Sequence, residues 1–405
     1  MQSQSLVWFV DRAVRPRYSM LDKLELLWKK TGLEQAISND SRVIIKTHFG
    51  AYGNLMYLRP AILRRLVDLV KSRNGSPVLA ESAGLGYGGG FYGGRTTAAD
   101  YLRMAAANGF TMGSMGTPII LLDGYWGTDT FDVAIKAKRL KKVAVGMALR
   151  DADIVIMFTH FKGHTQTGMG GSLKNLGIGC VGKYSKCMMH GPNNPIVQPE
   201  ACKGAKCSLC VDVCPHRCIT VSPKAAIDWD LCIHCLHCAS VCSQVAKAQG
   251  ITTDWSSPAM EQTERMIENA LGVVDGVGRD RFYYFNVALD ISEVCDCAPF
   301  APQALVPDLG IFASRDPVAL DAACIDALNK AQPISASACG DMRAGEDKFA
   351  ATCAYPDPHT GQRLPTQTHH RQLAYAEELG LGSRTYKLVQ VDEGAPPVGQ
   401  KPKRP

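Results

Sequence analysis

Sixteen cysteines stand in a chain of 405 residues, and nine of them crowd into the stretch from Cys202 to Cys242. Its second half runs Cys232-x2-Cys235-x2-Cys238-x3-Cys242. Its first half runs Cys207-x2-Cys210-x3-Cys214 followed by Pro215, with Cys202 upstream. Three thiolates two residues apart can wrap one face of an iron–sulfur cube, while a fourth, followed by Pro or a short turn, is carried to the neighbouring cube. On that crossed scheme Cys202, Cys207, Cys210 and Cys242 hold one 4Fe–4S cluster, and Cys214, Cys232, Cys235 and Cys238 hold the second.

The first half departs from regular spacing. A regular run would place its first ligand at Gly204, so Cys202 must reach across a longer loop, and Cys218 stands close by as a substitute. Ser243 replaces a second proline. Structural zinc prefers two CxxC pairs across a longer gap, and a disulfide framework needs an oxidising compartment; two consecutive four-cysteine runs suit neither. His234 and His237, between the ligands, suit hydrogen bonding near a cluster better than replacing a thiolate.

A second set of reactive residues lies outside this stretch. Lys162, His164, Lys174 and Asn175 interleave with Gly163, Gly168, Gly170 and Gly171. Glycines let a backbone approach a bound molecule closely, and cationic and imidazole groups beside it suit a carboxylate or phosphate and can supply a proton. The plain alternative is a tight connection with solvated lysines. Lys46-Thr47-His48 through Asn54, and Gly84 through Arg95, are two further polar turns. Gly84-Leu85-Gly86 lacks a third glycine at dinucleotide spacing, Gly89 falling one place late, so Arg95 is read as an anion contact and no nicotinamide is assigned. The expected catalytic residues are therefore Lys162, His164 and Lys174, with Lys46, His48, Arg95 and Asn175 binding substrate. Cys295-Asp296-Cys297 can ligate a metal, relay protons or form a redox disulfide, or can simply be small residues packed at a strand end. Cys324, Cys339 and Cys353 read as core or loop thiols, and His369 and His370, opening the final helix, as surface residues.

The elements that must position these groups alternate. Leu21, Leu24 and Trp28 recur at helical spacing near Met20 to Lys30. Val43 to Phe49 is a buried strand, Arg59 to Asn74 a helix with Pro60 in its first turn, and Pro77 to Ser82 a second strand. Pro118 to Asp123 is a strand, Ala137 to Arg150 a basic helix, and Asp153 to His160 a strand. Downstream follow a helix over 256–276, strands at Arg281 to Ile291 and Ala304 to Ser314, and a helix at Asp316 to Leu328. This order predicts an α/β fold, a mostly parallel sheet with flanking helices, into which a two-cluster ferredoxin-like module is inserted. The divisions are 1–195 for the first part of the α/β domain, 196–250 for the module, 251–390 for the rest of the domain, and 391–405 for a flexible tail.

A hydrophobic share of 46% and a charged share of 20% give an ordinary globular balance able to bury a large core. No secretory signal opens the chain, and no apolar run approaches the roughly 20 residues that span a bilayer. Free cysteines fit a reducing, cytoplasmic setting. The net charge of +6 is spread rather than clustered; it suits an acidic electron donor or an anionic substrate and gives no reason to expect nucleic acid.

Taken in order, KTHFGAYGNLMYLRP, HFKGHTQTGMGGSLKNLGIGC, Gly182-Lys183, His190, the eight-cysteine run, Cys295-Asp296-Cys297 and PDLGIFASRDPVALDAA resemble the ferredoxin-containing proteins of the domain of unknown function 362 family, over roughly residues 40 to 390. That resemblance implies an iron–sulfur α/β protein with the ferredoxin unit inserted, and it supplies no substrate. A weaker likeness in strand order to lactate racemase-like proteins, which carry a nickel-pincer nucleotide, is fold-level analogy.

Three functions are compatible with these residues. The favoured one is an oxidoreductase passing single electrons through two 4Fe–4S clusters to an anionic small molecule, with His164 or Lys162 as proton donor and Lys174 and Arg95 as clamps. Another is an electron-transfer or assembly partner that docks a second redox protein and does no chemistry itself. The last is an isomerase or ligase-like enzyme with structural clusters. An electron donor or acceptor protein is the expected partner.

Overall fold

Strands that carry β-branched and aromatic residues without polar interruption must be covered on both faces, which is the signature of a parallel sheet flanked by helices. The computed structural model of the chain has that architecture. It describes residues 4–392 apart from 15, 17, 87–93, 192, 255–256, 357–362 and 366. Eight strands form the central sheet: β1 (Ser5–Asp11), β2 (Arg42–Lys46), β3 (Ser76–Glu81), β4 (Ile119–Leu121), β5 (Ile154–His160), β6 (Phe282–Ala288), β7 (Gly310–Ser314) and β8 (Tyr386–Gln390). Their spatial order is β8-β1-β7-β6-β5-β2-β3-β4. All neighbours run parallel except β7, which is antiparallel to both β1 and β6.

Every residue of β5 and β6 is buried. Alternation along β5 sends Val155 and Met157 into one apolar cluster and Ile154, Ile156 and Phe158 into the other. The first cluster includes Leu173 and Leu176 of the short helix Ser172–Gly177 and Met266, Ile267 and Ala270 of the long helix Ala259–Val277. The second is closed by Leu63, Leu66 and Val70 of the helix Pro60–Ser72.

From β2 the chain steps outward to β3 and β4, then returns to β5 on the other side of β2 and continues to β6. The strand order therefore reverses between β2 and β5. At such a point the two loops leaving the carboxyl ends diverge and open a crevice. Lys46 ends β2 and His160 ends β5, so the polar turns after both flank the same opening.

Residues 196–252 hang from the sheet on a paired stem: Ile196 pairs with Thr252 and Val197 with Ile251, antiparallel. Between them lie the hairpin of Ile219–Val221 with Ala225–Ile227, the helices Leu209–Asp212 and His237–Gln244, and a small core of their own built around Cys210, Cys218, Ile219, Cys238 and Val241.

Several expectations are corrected. The stretch from Ala137 to Arg150 holds no α-helix: Lys142–Gly146 is a strand paired with Thr130–Ala134. Its Val143, Ala144 and Val145 are buried while Lys142 is exposed, a short apolar run that the basic composition around it masked. The strand expected from Ala304 begins only at Gly310, after Val306-Pro307 breaks it. β1 and β8 were not anticipated from the sequence, so the helix Thr368–Glu378 is not the last element. The tail does not start free at 391. Val391 N–H donates to Phe9 O at 2.9 Å, and the buried Asp392 carboxylate pairs with Lys23; residues 393–405 lie outside the described set.

Glu264 ties the long helix to its surroundings, accepting from Arg139 Nε at 2.5 Å, Arg371 Nη2 at 2.7 Å and Lys138 Nζ at 3.1 Å. Burial alone would raise this carboxyl, but the three cations win and bring it down to about 2 from an ordinary 4.5. A depressed acid stabilises the fold above its unfolded value and loses that contribution as pH falls through the folded one. Urea denaturation of Glu264→Gln should therefore show a loss of about 1–3 kcal/mol at pH 7 that shrinks steadily between pH 4.5 and pH 2.

Candidate functional site

The crevice between β2 and β5 is lined by buried charges in pairs. Lys46 Nζ lies 2.5 Å from Glu81 Oε1 at the end of β3 and donates to Asn175 Oδ1 at 2.8 Å. Lys162 Nζ lies 2.9 Å from Asp296 Oδ1 and donates to His160 O at 2.8 Å. The other carboxylate oxygen, Asp296 Oδ2, lies 3.2 Å from His160 Nδ1, whose Nε2 meets Leu289 O at 2.8 Å. Burial would raise Asp296, yet Lys162, His48 and His160 hold it well below the usual carboxylate range. Burial would likewise lower Lys162, and Asp296 and Cys295 keep it raised. The alternative of a solvated lysine does not hold at position 162, which is 4% exposed and sits in the short strand Lys162–His164, paired with Gly168–Gly170.

Asn175 and Lys174 ride on the helix Ser172–Gly177. Its first amides are caught by Asp321: Ser172 N–H donates to Oδ1 at 2.8 Å and Leu173 N–H to Oδ2 at 3.0 Å. Asn286 of β6 donates to the same carboxylate at 2.7 Å and accepts from Ser172 Oγ at 2.8 Å. Sequence reasoning missed Glu81, Asp321 and Asn286. Glu81 could have been found as an acid closing an otherwise apolar strand, since a buried carboxylate demands a cation.

Cys295, Asp296 and Cys297 follow β6 and close the crevice. Lys174 Nζ reaches Cys295 Sγ at 3.8 Å, and no carboxylate pairs with Lys174 among the described residues. Arg95 Nη2 donates to Cys297 O at 2.7 Å, and its Nη1 lies 3.2 Å from His48 Nε2. Burial lowers His48 well below its ordinary value, reinforced by Arg95, Lys162 and Lys46. His164 is brought down to about 3 by burial and by Lys174, so it is neutral at physiological pH. A hydrogen bond from Cys295, with Lys174 and Arg95 nearby, lowers Cys297 to about 6 against the pull of burial, whereas burial pushes Cys295 well up. The seven residues expected at the site (Lys46, His48, Arg95, Lys162, His164, Lys174 and Asn175) and Cys295-Asp296-Cys297 come together around one crevice. Gly89 and most of the glycine-rich turn lie outside the described residues.

The cysteine segment sorts its thiols between two small pockets. One is lined by Cys202, Cys207, Cys210 and Cys242; the other by Cys214, Cys218, Cys232, Cys235 and Cys238. Cys218 is therefore corrected: its Sγ lies 3.4 Å from Cys214 Sγ, in the second pocket, and it cannot complete the first. Backbone amides aim at the sulfurs of the first pocket, Gly204 and Ala225 N–H at Cys202 and Ile251 N–H at Cys242, each at 3.4 Å. Among the histidines between the cysteines, His234 contacts Asn194 O and His237 Nε2 lies 2.5 Å from Lys183 Nζ. At the other end of the chain His369 is fully buried against Asp347, contrary to its expected surface position, while His370 is exposed.

A mostly parallel α/β fold with a buried, cation-rich crevice at its strand-order reversal is the class that fold and site define. The chain belongs to the family described as a domain of unknown function (DUF362), which matches residues 43–326. Among solved structures it is similar to a protein from Thermotoga maritima, with 10% identity over 67% of this chain and 50% of the other and a TM-score of 0.37. It is also similar to the lactate racemase apoprotein from Thermoanaerobacterium thermosaccharolyticum, with 10% identity over 71% and 51% and a TM-score of 0.33. The chain spans about half the length of each. No curated protein matches it. No described helix is long and apolar enough to cross a membrane.

Removing one partner of a buried pair leaves the other charge uncompensated, at a cost of roughly 3–5 kcal/mol. Asp296→Ala, which strands Lys162, should lower the unfolding free energy measured in urea by an amount in that range, and the double change Asp296→Ala with Lys162→Met should recover much of it.

Proposed function

We propose that the protein is an iron–sulfur oxidoreductase acting on an anionic small molecule in the crevice between β2 and β5. The observation that carries this reading is the division of the cysteines: the first pocket gathers Cys202 and Cys242 with Cys207 and Cys210, and the second gathers Cys214 with Cys232, Cys235 and Cys238. That grouping matches the crossed ligand exchange expected of a two-cluster site. The donor chemistry also fits. Burial and neighbouring thiolates push Cys210 up to about 11, and burial does the same for Cys235, so a cation must displace protons before these sulfurs become ligands. Two 4Fe–4S clusters held there would supply one-electron transfer, exchanged with a separate donor or acceptor protein.

The crevice supports chemistry on this chain over a docking role alone. Lys46 and Lys162 are neutralised by Glu81 and Asp296, while Lys174, which faces no carboxylate among the described residues, is placed to meet a carboxylate or phosphate beside Arg95. His164, neutral, serves as a hydrogen-bonding group more readily than as a proton donor, and Lys162 holds its proton through Asp296. Lys174 is then the better placed acid.

Anaerobically purified protein should contain about eight irons and eight sulfides per chain and show the paramagnetic signal of reduced 4Fe–4S clusters. Cys202→Ser should leave about half the iron, and Cys218→Ser should leave the iron count unchanged. Colourless protein, or protein holding zinc, would remove the proposal.

A further inference from the structure

We infer that Cys295 and Cys297 form a redox-active dithiol that opens and closes as a disulfide, the two-electron end of the site, with the accessible Cys297 as the attacking sulfur. A ring nitrogen of His164 and both sulfurs lie within 4.8 Å of one another, so the two thiols, separated by one residue in sequence, are also neighbours in space. Such a trio also invites a metal, and the surroundings refuse one. His164 Nδ1 accepts the backbone N–H groups of Gln166 at 3.2 Å and Thr167 at 3.1 Å, so in a neutral ring Nε2 carries the proton and no lone pair is left for an ion. Asp296, the natural third donor, turns away to Lys162 and His160. Lys174 stands 3.8 Å from Cys295 Sγ and Arg95 bonds the Cys297 carbonyl, and these cations repel a divalent ion while favouring a thiolate. Cys297 N–H itself points at Cys295 Sγ at 3.3 Å. Cys295 is buried and Cys297 half-buried, the usual division between a resolving thiol and an attacking one.

The balance is simple. One disulfide takes up two electrons and one proton and opens to a Cys295 thiol and a Cys297 thiolate; closing releases the same. The electrons come from one-electron carriers of the iron–sulfur class, and for that source the inference rests on the proposed function. A physical route exists. Cys235 O, in the second cysteine pocket, accepts Gly86 N–H at 3.1 Å, Gly84 N–H donates to Arg95 O at 2.6 Å, and the Arg95 side chain ends on Cys297 O. Gly86 has φ +82°, and a Cβ there would collide with Ser240 Oγ, so only glycine lets this strap lie against the cysteine segment.

The test uses the whole protein in anaerobic glutathione buffers of graded poise, with iron counted in each sample. Peptide mass spectrometry should find Cys295 and Cys297 joined in oxidising buffer and free in reducing buffer. Reductive titration of the oxidised form should consume about two more electron equivalents per chain than Cys297→Ser or Cys297→Ala of equal iron content. Absence of that disulfide at every poise, or a metal held stoichiometrically and lost in the Cys297 variants, overturns the inference. Disulfide formation in iron-free protein would instead count against the clusters and leave the dithiol standing.

Discussion

An ammonium group taken out of water has to keep a carboxylate beside it, and the crevice between β2 and β5 is built on two such obligations. Lys46 with Glu81 and Lys162 with Asp296 bring four segments distant in sequence to one place: the ends of β2, β3 and β5 and the loop after β6. Neither pair adds much stability over a packed apolar alternative, because desolvation consumes the Coulombic gain. Their effect is to fix where the loops go. The remaining polar contacts, Asn175 on Lys46 and His160 on Asp296, inherit that placement.

Much of this was legible in the sequence because it is chemistry at short range. The cysteine spacing divided the thiols in the way the two pockets do, and the interleaved glycines and cations of residues 162–175 marked a loop that approaches the crevice. The parallel strands showed as unbroken apolar runs. What escaped depends on partners far along the chain. The strand at Lys142–Gly146 was hidden because lysines and arginines around it suggested a basic helix, whereas the helix Ala259–Val277 packs on this strand. β1 and β8 escaped for the same reason: they pair with each other from opposite ends of the chain, and no local pattern announces that. His369 reads as a surface residue until Asp347 is brought to it by folding.

The two reactive regions are separated in sequence yet share a seam. Lys183 donates to Gly86 O and Thr96 O and touches His237, so one buried ammonium holds both ends of the glycine-rich turn against the cysteine segment. Burial brings Lys183 down to about 7.

The stem of Ile196–Val197 against Ile251–Thr252 has a consequence for how such a chain could arise. Because the strands of the stem lie side by side, whatever is suspended from them begins and ends at one spot on the sheet. A foreign segment could be acquired, shortened or exchanged there without altering the pairing of a single central strand, which lets the cysteine-rich part and the sheet evolve at separate rates.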